Sequence, residues 1–268
     1  MKEHACAPRV PREDDIPLTG IEEDLVNALL GEAERPDAVV EQVVAGPKFI
    51  AVMADGRMGM SSLLGARMAR PEADMMKDAI GSAVGRVAEC MKRPSPFSVC
   101  LGAAALNTAN APDPIGLAAD DAPAEALIAE LGRGRTVGLV GDFPFVHALR
   151  EQVGELHLFE LMDVPGAVPR DRWDEVLSRV DVLAVTGTTL VTRQMGYFLS
   201  HAGKAVTVVL GPSTPLSRAL FRFGADHLCG SVIIDPSLVL EGVQAGLSFR
   251  AMKKKGGIRS VRWDRGNG

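Results

Sequence analysis

Val206-Thr207-Val208-Val209-Leu210 runs into Gly211-Pro212-Ser213-Thr214-Pro215, a β-branched stretch followed by a turn of small residues and then a helical pattern. It is the third joint of this kind in the chain. Thr136-Val137-Gly138-Leu139-Val140 leads into Gly141-Asp142-Phe143-Pro144, and Val182-Leu183-Ala184-Val185 into Thr186-Gly187-Thr188-Thr189. In a parallel α/β sheet all strand-to-helix turns open at one edge, so these three turns converge on one crevice. Backbone N–H groups at helix N-termini, together with small hydroxyls, suit an anionic or strongly polar ligand. The pattern predicts a ligand-binding α/β domain and leaves the ligand open.

Working outward, strands are predicted over 136–140, 156–160, 182–185 and 206–210, with a shorter one near 231–234. Helices are predicted over 144–153, 171–179, 189–202, 215–223 and 236–246. Near-continuous apolar strands separated by helices mean a parallel sheet covered on both faces. Upstream the order changes. Thr19 is a candidate N-cap for a helix over 21–30 that stops at Gly31. Strand-like runs follow over 38–45, 49–54 and 58–64, the last two joined by Asp55-Gly56, a tight-hairpin signal. Helices over 72–91 and 96–107 complete an α+β pattern. The prolines and glycine of Ala111-Pro112-Asp113-Pro114-Ile115-Gly116 interrupt all periodicity, and a short helix over 123–131 follows. The expected organisation is a loose arm over 1–16, an α+β domain over 17–112 and an α/β domain over 113–268.

Composition excludes several classes. Hydrophobic residues are 47% and charged residues 24% of 268, as in ordinary globular proteins. A net charge of −5 argues against nucleic acid as a partner. The basic cluster of Lys253, Lys254, Lys255, Arg259, Arg262 and Arg265 reads as a solvated terminal strand or, failing that, an anion contact. Cys6, Cys90, Cys100 and Cys229 show no paired spacing, so no disulfide framework is expected. With no charged-then-apolar leader and no membrane-length apolar run, a cytoplasmic protein without membrane contact is expected. A homo-oligomer is compatible with the sequence.

The individual motifs carry alternatives. Gly138-x-x-Gly141 with Glu160 about twenty residues on resembles part of a dinucleotide fingerprint, but the full GxGxxG is lacking. The two glycines equally ease a tight turn, and Glu160 equally ends a strand. Thr186-Gly187-Thr188-Thr189 serves as a helix cap as readily as a site. Asp226-His227-x-Cys229 places three metal-ligand types close together without a recognised spacing. The methionines Met53, Met58, Met60, Met68, Met75 and Met76 read as core filler before soft-metal ligands. No H-E-x-x-H, P-loop or G-x-S-x-G motif is present.

Five motifs in order resemble the putative heavy-metal chelation family, a group of unknown function. They are Val140-Gly141-Asp142-Phe143-Pro144-Phe145-Val146, Phe159-Glu160, Thr186-Gly187-Thr188-Thr189-Leu190, Gly211-Pro212-Ser213-Thr214-Pro215-Leu216 and Asp235-Pro236. The resemblance covers about 135–250 and is thinner upstream, where it rests on Gly59 to Ser62 and the helix bearing Asn107. It implies a Rossmann-like parallel-sheet domain, preceded by a smaller α+β domain like the enolase N-terminal fold, with a ligand cleft between them. The implied cleft residues are Gly141, Asp142, Phe143, Glu160, Gly187, Thr188, Thr189, Gly211, Ser213 and Thr214, facing Asn107. Asp142 stands where histidine is expected in the family, and a carboxylate there favours a harder ion.

The leading expectation is a small-ligand-binding protein that takes a heavy-metal ion or an anionic metal-chelating molecule. In it Asp142 and Glu160 are the metal candidates, a divalent or heavy metal ion is the expected cofactor, and the Ser/Thr turns hold anionic groups. The alternative is a transferase or lyase acting on a small cofactor-like metabolite, with Asp142 or Glu160 as general acid or base. A third reading is a scaffold whose polar turns only cap helices.

Overall fold

The computed structural model describes residues 18–64, 66, 70–114, 123–162 and 164–266. The expected arm over 1–16, together with Cys6, Met68 and the Ile115-Gly116 end of the expected boundary, lies outside the described residues.

Helix α1 (Gly20–Gly31) is followed by an antiparallel meander of β1 (Val40–Ala45), β2 (Phe49–Ala54) and β3 (Arg57–Ser62). The β2–β3 turn is the expected Asp55-Gly56, with φ of 47° and 72°. Both central residues are left-handed, which matches the right-handed twist of the flanking strands. Next come α2 (Arg70–Ala79), α3 (Val84–Ala88), a 3-10 turn over Glu89–Lys92 and α4 (Pro96–Ala109). The single helix expected over 72–91 is thus broken. Gly81 adopts φ 81°, and the segment around it joins the edge of the meander instead. Its N–H donates to the Val40 carbonyl at 2.8 Å, and the Val40 N–H donates to the Ser82 carbonyl at 2.9 Å. Satisfying β1's edge outweighs continuing the helix.

From α5 (Ala124–Leu131) onward, strands and helices alternate: β4 (Thr136–Val140), α6 (Val146–Arg150), β5 (Glu155–Phe159), α7 (Trp173–Leu177), β6 (Val182–Thr186), α8 (Met195–His201), β7 (Val206–Leu210), α9 (Ala219–Arg222) and β8 (His227–Ile233). Then come α10 (Pro236–Gln244), α11 (Phe249–Lys254) and β9 (Ile258–Asp264). The strands form one six-stranded sheet in the order β5-β4-β6-β7-β8-β9, parallel except for β9. Both faces are covered. Val137, Leu139, Val182 and Ala184 pack with α5 and α6 residues, while Val140, Leu183 and Val185 pack with Trp173 and Phe198. The chain is therefore α/β, with a mostly parallel sheet and a separate small antiparallel one.

Helix α11 and the pairing of strand β9 are absent from the sequence-based expectation, which has only a solvated terminal strand there. Of the basic cluster, Lys253 and Lys254 end α11, while Arg259 and Arg262 lie on β9, which pairs antiparallel along the whole of β8, from His227↔Asp264 to Ile233↔Ile258. Among the other helices, α6, α8 and α9 begin later than periodicity predicts, because the turns before them are long.

The antiparallel portion docks on the large sheet through a continuous apolar core. Leu25 and Leu29 of α1 share a cluster with Leu190, Met195 and Val209. Val44, Ala51 and Met60 share another with Val239, Val243 and Met252. Polar contacts fix the docking: Glu22 Oε1 accepts from the Tyr197 N–H at 2.8 Å, and Ser213 Oγ accepts from the Ser62 N–H at 2.9 Å. Among the described residues, no helix is long and apolar enough to cross a membrane.

Candidate functional site

The chain runs from β4 outward to β5, then crosses back past β4 to β6, so connections leave the sheet in opposite directions between β4 and β6. Such a switch point leaves a crevice at the carboxyl ends of the strands. A cavity of about 570 Å³ opens there. One wall comes from the turns after β4, β5 and β6. The facing wall comes from the end of β3 and the start of α4: Leu63, Leu64, Pro94, Pro96, Val99 and Cys100.

Six of the expected residues line this cleft: Gly141, Asp142, Phe143, Glu160, Thr188 and Thr189. Gly141 takes φ 106°, a conformation that residues with a side chain rarely adopt, and a Cβ there would lie 3.1 Å from Thr186 Cγ2. Asp142 and Glu160 do meet. The Asp142 N–H donates to Glu160 Oε2 at 2.9 Å, while Oε1 accepts from the N–H of Leu161 at 2.8 Å and of Met162 at 3.5 Å. Glu160 is thereby a clamp that ties the first turn to the second, and among the described residues the Asp142 carboxylate has no hydrogen-bond or ion-pair partner. The threonines are partly self-satisfied: Thr189 Oγ1 donates to the Thr186 carbonyl at 2.7 Å, and the Thr186 and Thr188 hydroxyls lie 3.0 Å apart.

Asn107, Gly187, Gly211, Ser213 and Thr214 are not among the residues lining the cleft. The turn after β7 lies one strand beyond the switch point, and β3 packs on it. Ser213 is 1% exposed, its hydroxyl held by the Ser62 N–H. A Cβ on Gly187 would sit 2.5 Å from the Thr214 N atom, so only glycine lets the second and third turns approach. Asn107 Nδ2 donates to the Met60 carbonyl at 2.9 Å, buttressing β3 from behind. Asn107 Oδ1 and Thr214 Oγ1 are buried without a partner.

The turn logic missed most of the cleft's apolar surface. Phe159, Trp173 and Phe198 form an aromatic floor, with the Trp173 and Phe198 rings 5.2 Å apart. Leu64, Leu161 and Met162 stand at the lip, between 37% and 43% exposed. Arg170 and Arg193 also line the cavity. The available signal was the connection between β5 and α7, longer than most loops of compact domains and carrying one of the chain's two tryptophans at its end. Leu64 (φ 48°) and Arg193 (φ 55°) are non-glycine residues in the left-handed region, a strain that concentrates at ligand clamps.

The donor set decides what the cleft holds. A soft heavy-metal ion needs thiolate or imidazole ligands. Cys100 is fully buried, and burial pushes its thiol up to about 12, so it stays protonated. Among the described residues, no histidine lines the cleft, and His147 lines a neighbouring depression of about 430 Å³ that shares Asp142 and Phe143 with it. Among the described residues, no three His, Cys, Asp or Glu side chains are grouped to hold a metal ion. These side chains do not fit a bare heavy-metal ion.

Comparison with known proteins is consistent over most of the chain. Residues 125–262 match the profile of a family described as putative heavy-metal chelation (DUF364), and residues 26–110 match a second profile with the same description (DUF4213). No curated protein matches. Among solved structures, a protein of unknown function from the DUF364 family of Desulfitobacterium hafniense DCB-2 is similar, with a TM-score of 0.77 at 21% identity, over 91% of this chain and 98% of that one. A second, from Pyrococcus horikoshii, gives a TM-score of 0.72 at 16% identity, over 91% of this chain and 100% of its own.

Proposed function

The chain belongs to the putative heavy-metal chelation family, and from that premise and the cleft we propose that it binds a small organic molecule, with any heavy metal arriving already chelated by that molecule. The observation that carries this reading is the mismatch between the cavity's size and its donors. About 570 Å³ is the volume of an organic ligand site, and its floor and lip are apolar. A bare ion would need a compact set of ligands, and none is grouped among the described residues.

The architecture supports the same reading. A parallel sheet with its switch point between β4 and β6 supports a Rossmann-like domain over 113–268, and the meander with its helices supports an enolase N-terminal-like domain over 17–112. The cleft is then the gap between the two, with Asp142, Thr188 and Thr189 as its polar contacts.

Native mass spectrometry of the full chain, purified without chelators, tests this. The expected result is an organic adduct, with or without a metal's isotope pattern, that is lost on denaturation. A metal mass bound with no organic component would overturn the reading.

A further inference from the structure

Resting on that reading, we infer that the cleft's ligand is an organic anion, its apolar body on the lip and aromatic floor and its anionic group on Arg170. Arg170 belongs to the 3-10 turn Arg170–Arg172 that leads into α7, and its guanidinium carbon lies 5.4 Å from the centre of the Trp173 ring. Stacking on an indole holds the face of a guanidinium and leaves its edge N–H donors available.

The nearby arginines behave differently. Arg172 and Arg179 share Glu175, at 3.3 and 3.0 Å. Arg193, the other cation of the cleft, is buried and donates to the Arg93 carbonyl, with Glu22 as its counter-charge. Among the described residues, the Arg170 guanidinium has neither a hydrogen-bond acceptor nor a carboxylate partner, although its main-chain carbonyl accepts from the Trp173 N–H. It is an oriented, unneutralised cation on the wall of a mostly apolar cavity.

The apolar half of the argument is independent. Among the described residues, three of the six large hydrophobic side chains that are more than a third exposed, Leu64, Leu161 and Met162, line this one cleft. Grouped exposure of that kind marks a surface that a ligand covers. A carboxylate, sulfonate or phosphate on an apolar frame satisfies both features, since each presents oxygen pairs to a guanidinium edge.

The test uses two fluorescent probes of similar shape on the full chain: 8-anilinonaphthalene-1-sulfonate, an anion, and N-phenyl-1-naphthylamine, which is uncharged. Thr192→Trp narrows the cleft, and circular dichroism checks that each variant is folded. Both probes are expected to bind wild type, and Thr192→Trp to weaken both. Arg170→Gln is expected to weaken the sulfonate probe about tenfold, the scale of a hydrogen bond to a charged group, and to leave the neutral probe within about twofold. Arg170→Lys should recover part of the loss. Unchanged sulfonate affinity in Arg170→Gln, or an equal loss for both probes, overturns the anion anchor while the cleft stands. If Thr192→Trp alters neither probe, binding lies elsewhere, and both the cleft reading and this inference fall.

Discussion

Replacing Ser213 with alanine asks whether the third Gly/Ser/Thr turn serves a ligand, a helix cap or the docking of the two halves. A capping hydroxyl is worth about 1 kcal/mol. The structure gives a different partner and a larger number. Ser213 is 1% exposed, and its Oγ accepts from the Ser62 N–H at 2.9 Å across a sequence gap of 151 residues. Alanine would orphan a main-chain donor where β3 meets the large sheet, and leaving such a group unsatisfied costs about 1–3 kcal/mol. The Ser61 hydroxyl lies 3.5 Å from Ser213 Oγ, at the long limit of a hydrogen bond, so it adds little to this contact. We expect a loss of about 2 kcal/mol, a fall in melting temperature of roughly 4–8 °C for a chain of this size. Urea unfolding with an unchanged m-value measures it, and hydrogen exchange at the Ser62 amide localises it. Ser61→Ala is the control and should cost less than about 0.5 kcal/mol. A loss that small in Ser213→Ala, or unaltered protection of the Ser62 amide, would refute the docking role.

Two further outcomes follow from buried ionisable groups. Burial raises the Glu22 carboxyl above the usual range, opposed by the N–H groups of Tyr197 and Gly196 and by Arg193. A raised carboxyl contributes stability that is fully present below its unfolded value and is lost as pH rises through the folded one. Glu22→Gln keeps an acceptor for both N–H groups, so its urea midpoint should change less than wild type's between pH 4.5 and 8; a larger drop in the variant would count against this. Burial likewise pushes the thiols of Cys100 and Cys229 up to about 12 and raises that of Cys90. In a Cys6→Ser background, Ellman's reagent at pH 8 should therefore find no reactive thiol in the native protein and three after denaturation. A thiol that reacts quickly in the folded protein would contradict the packing around α4 and β8.

Much of the fold was legible because its signals are local. Runs such as Thr136–Val140 and Val206–Leu210 became strands with the expected bounds, since β-branched apolar stretches bounded by glycine have few other uses. Asp55-Gly56 formed its hairpin because both residues tolerate positive φ. The broken helix around Gly81 was not legible, because what stops it is the unpaired edge of β1, forty residues upstream. The pairing of β9 was equally hidden: a stretch carrying Arg259 and Arg262 looks solvated until β8 supplies partners.

The site divides along the same line. Sequence by itself determined that polar turns follow β4, β6 and β7, because turn chemistry depends on adjacent residues. Which turns share a cavity depended on strand order, and that is set by burial of whole faces across the sheet. It placed the β4, β5 and β6 turns around the cleft and put the β7 turn under β3, where Ser213 meets Ser62. The aromatic floor likewise exists only once α7 folds against the sheet and brings Trp173 onto Phe159 and Phe198. No spacing in the chain encodes those ring contacts, whereas Arg170 and Trp173, three residues apart, meet through local helical geometry.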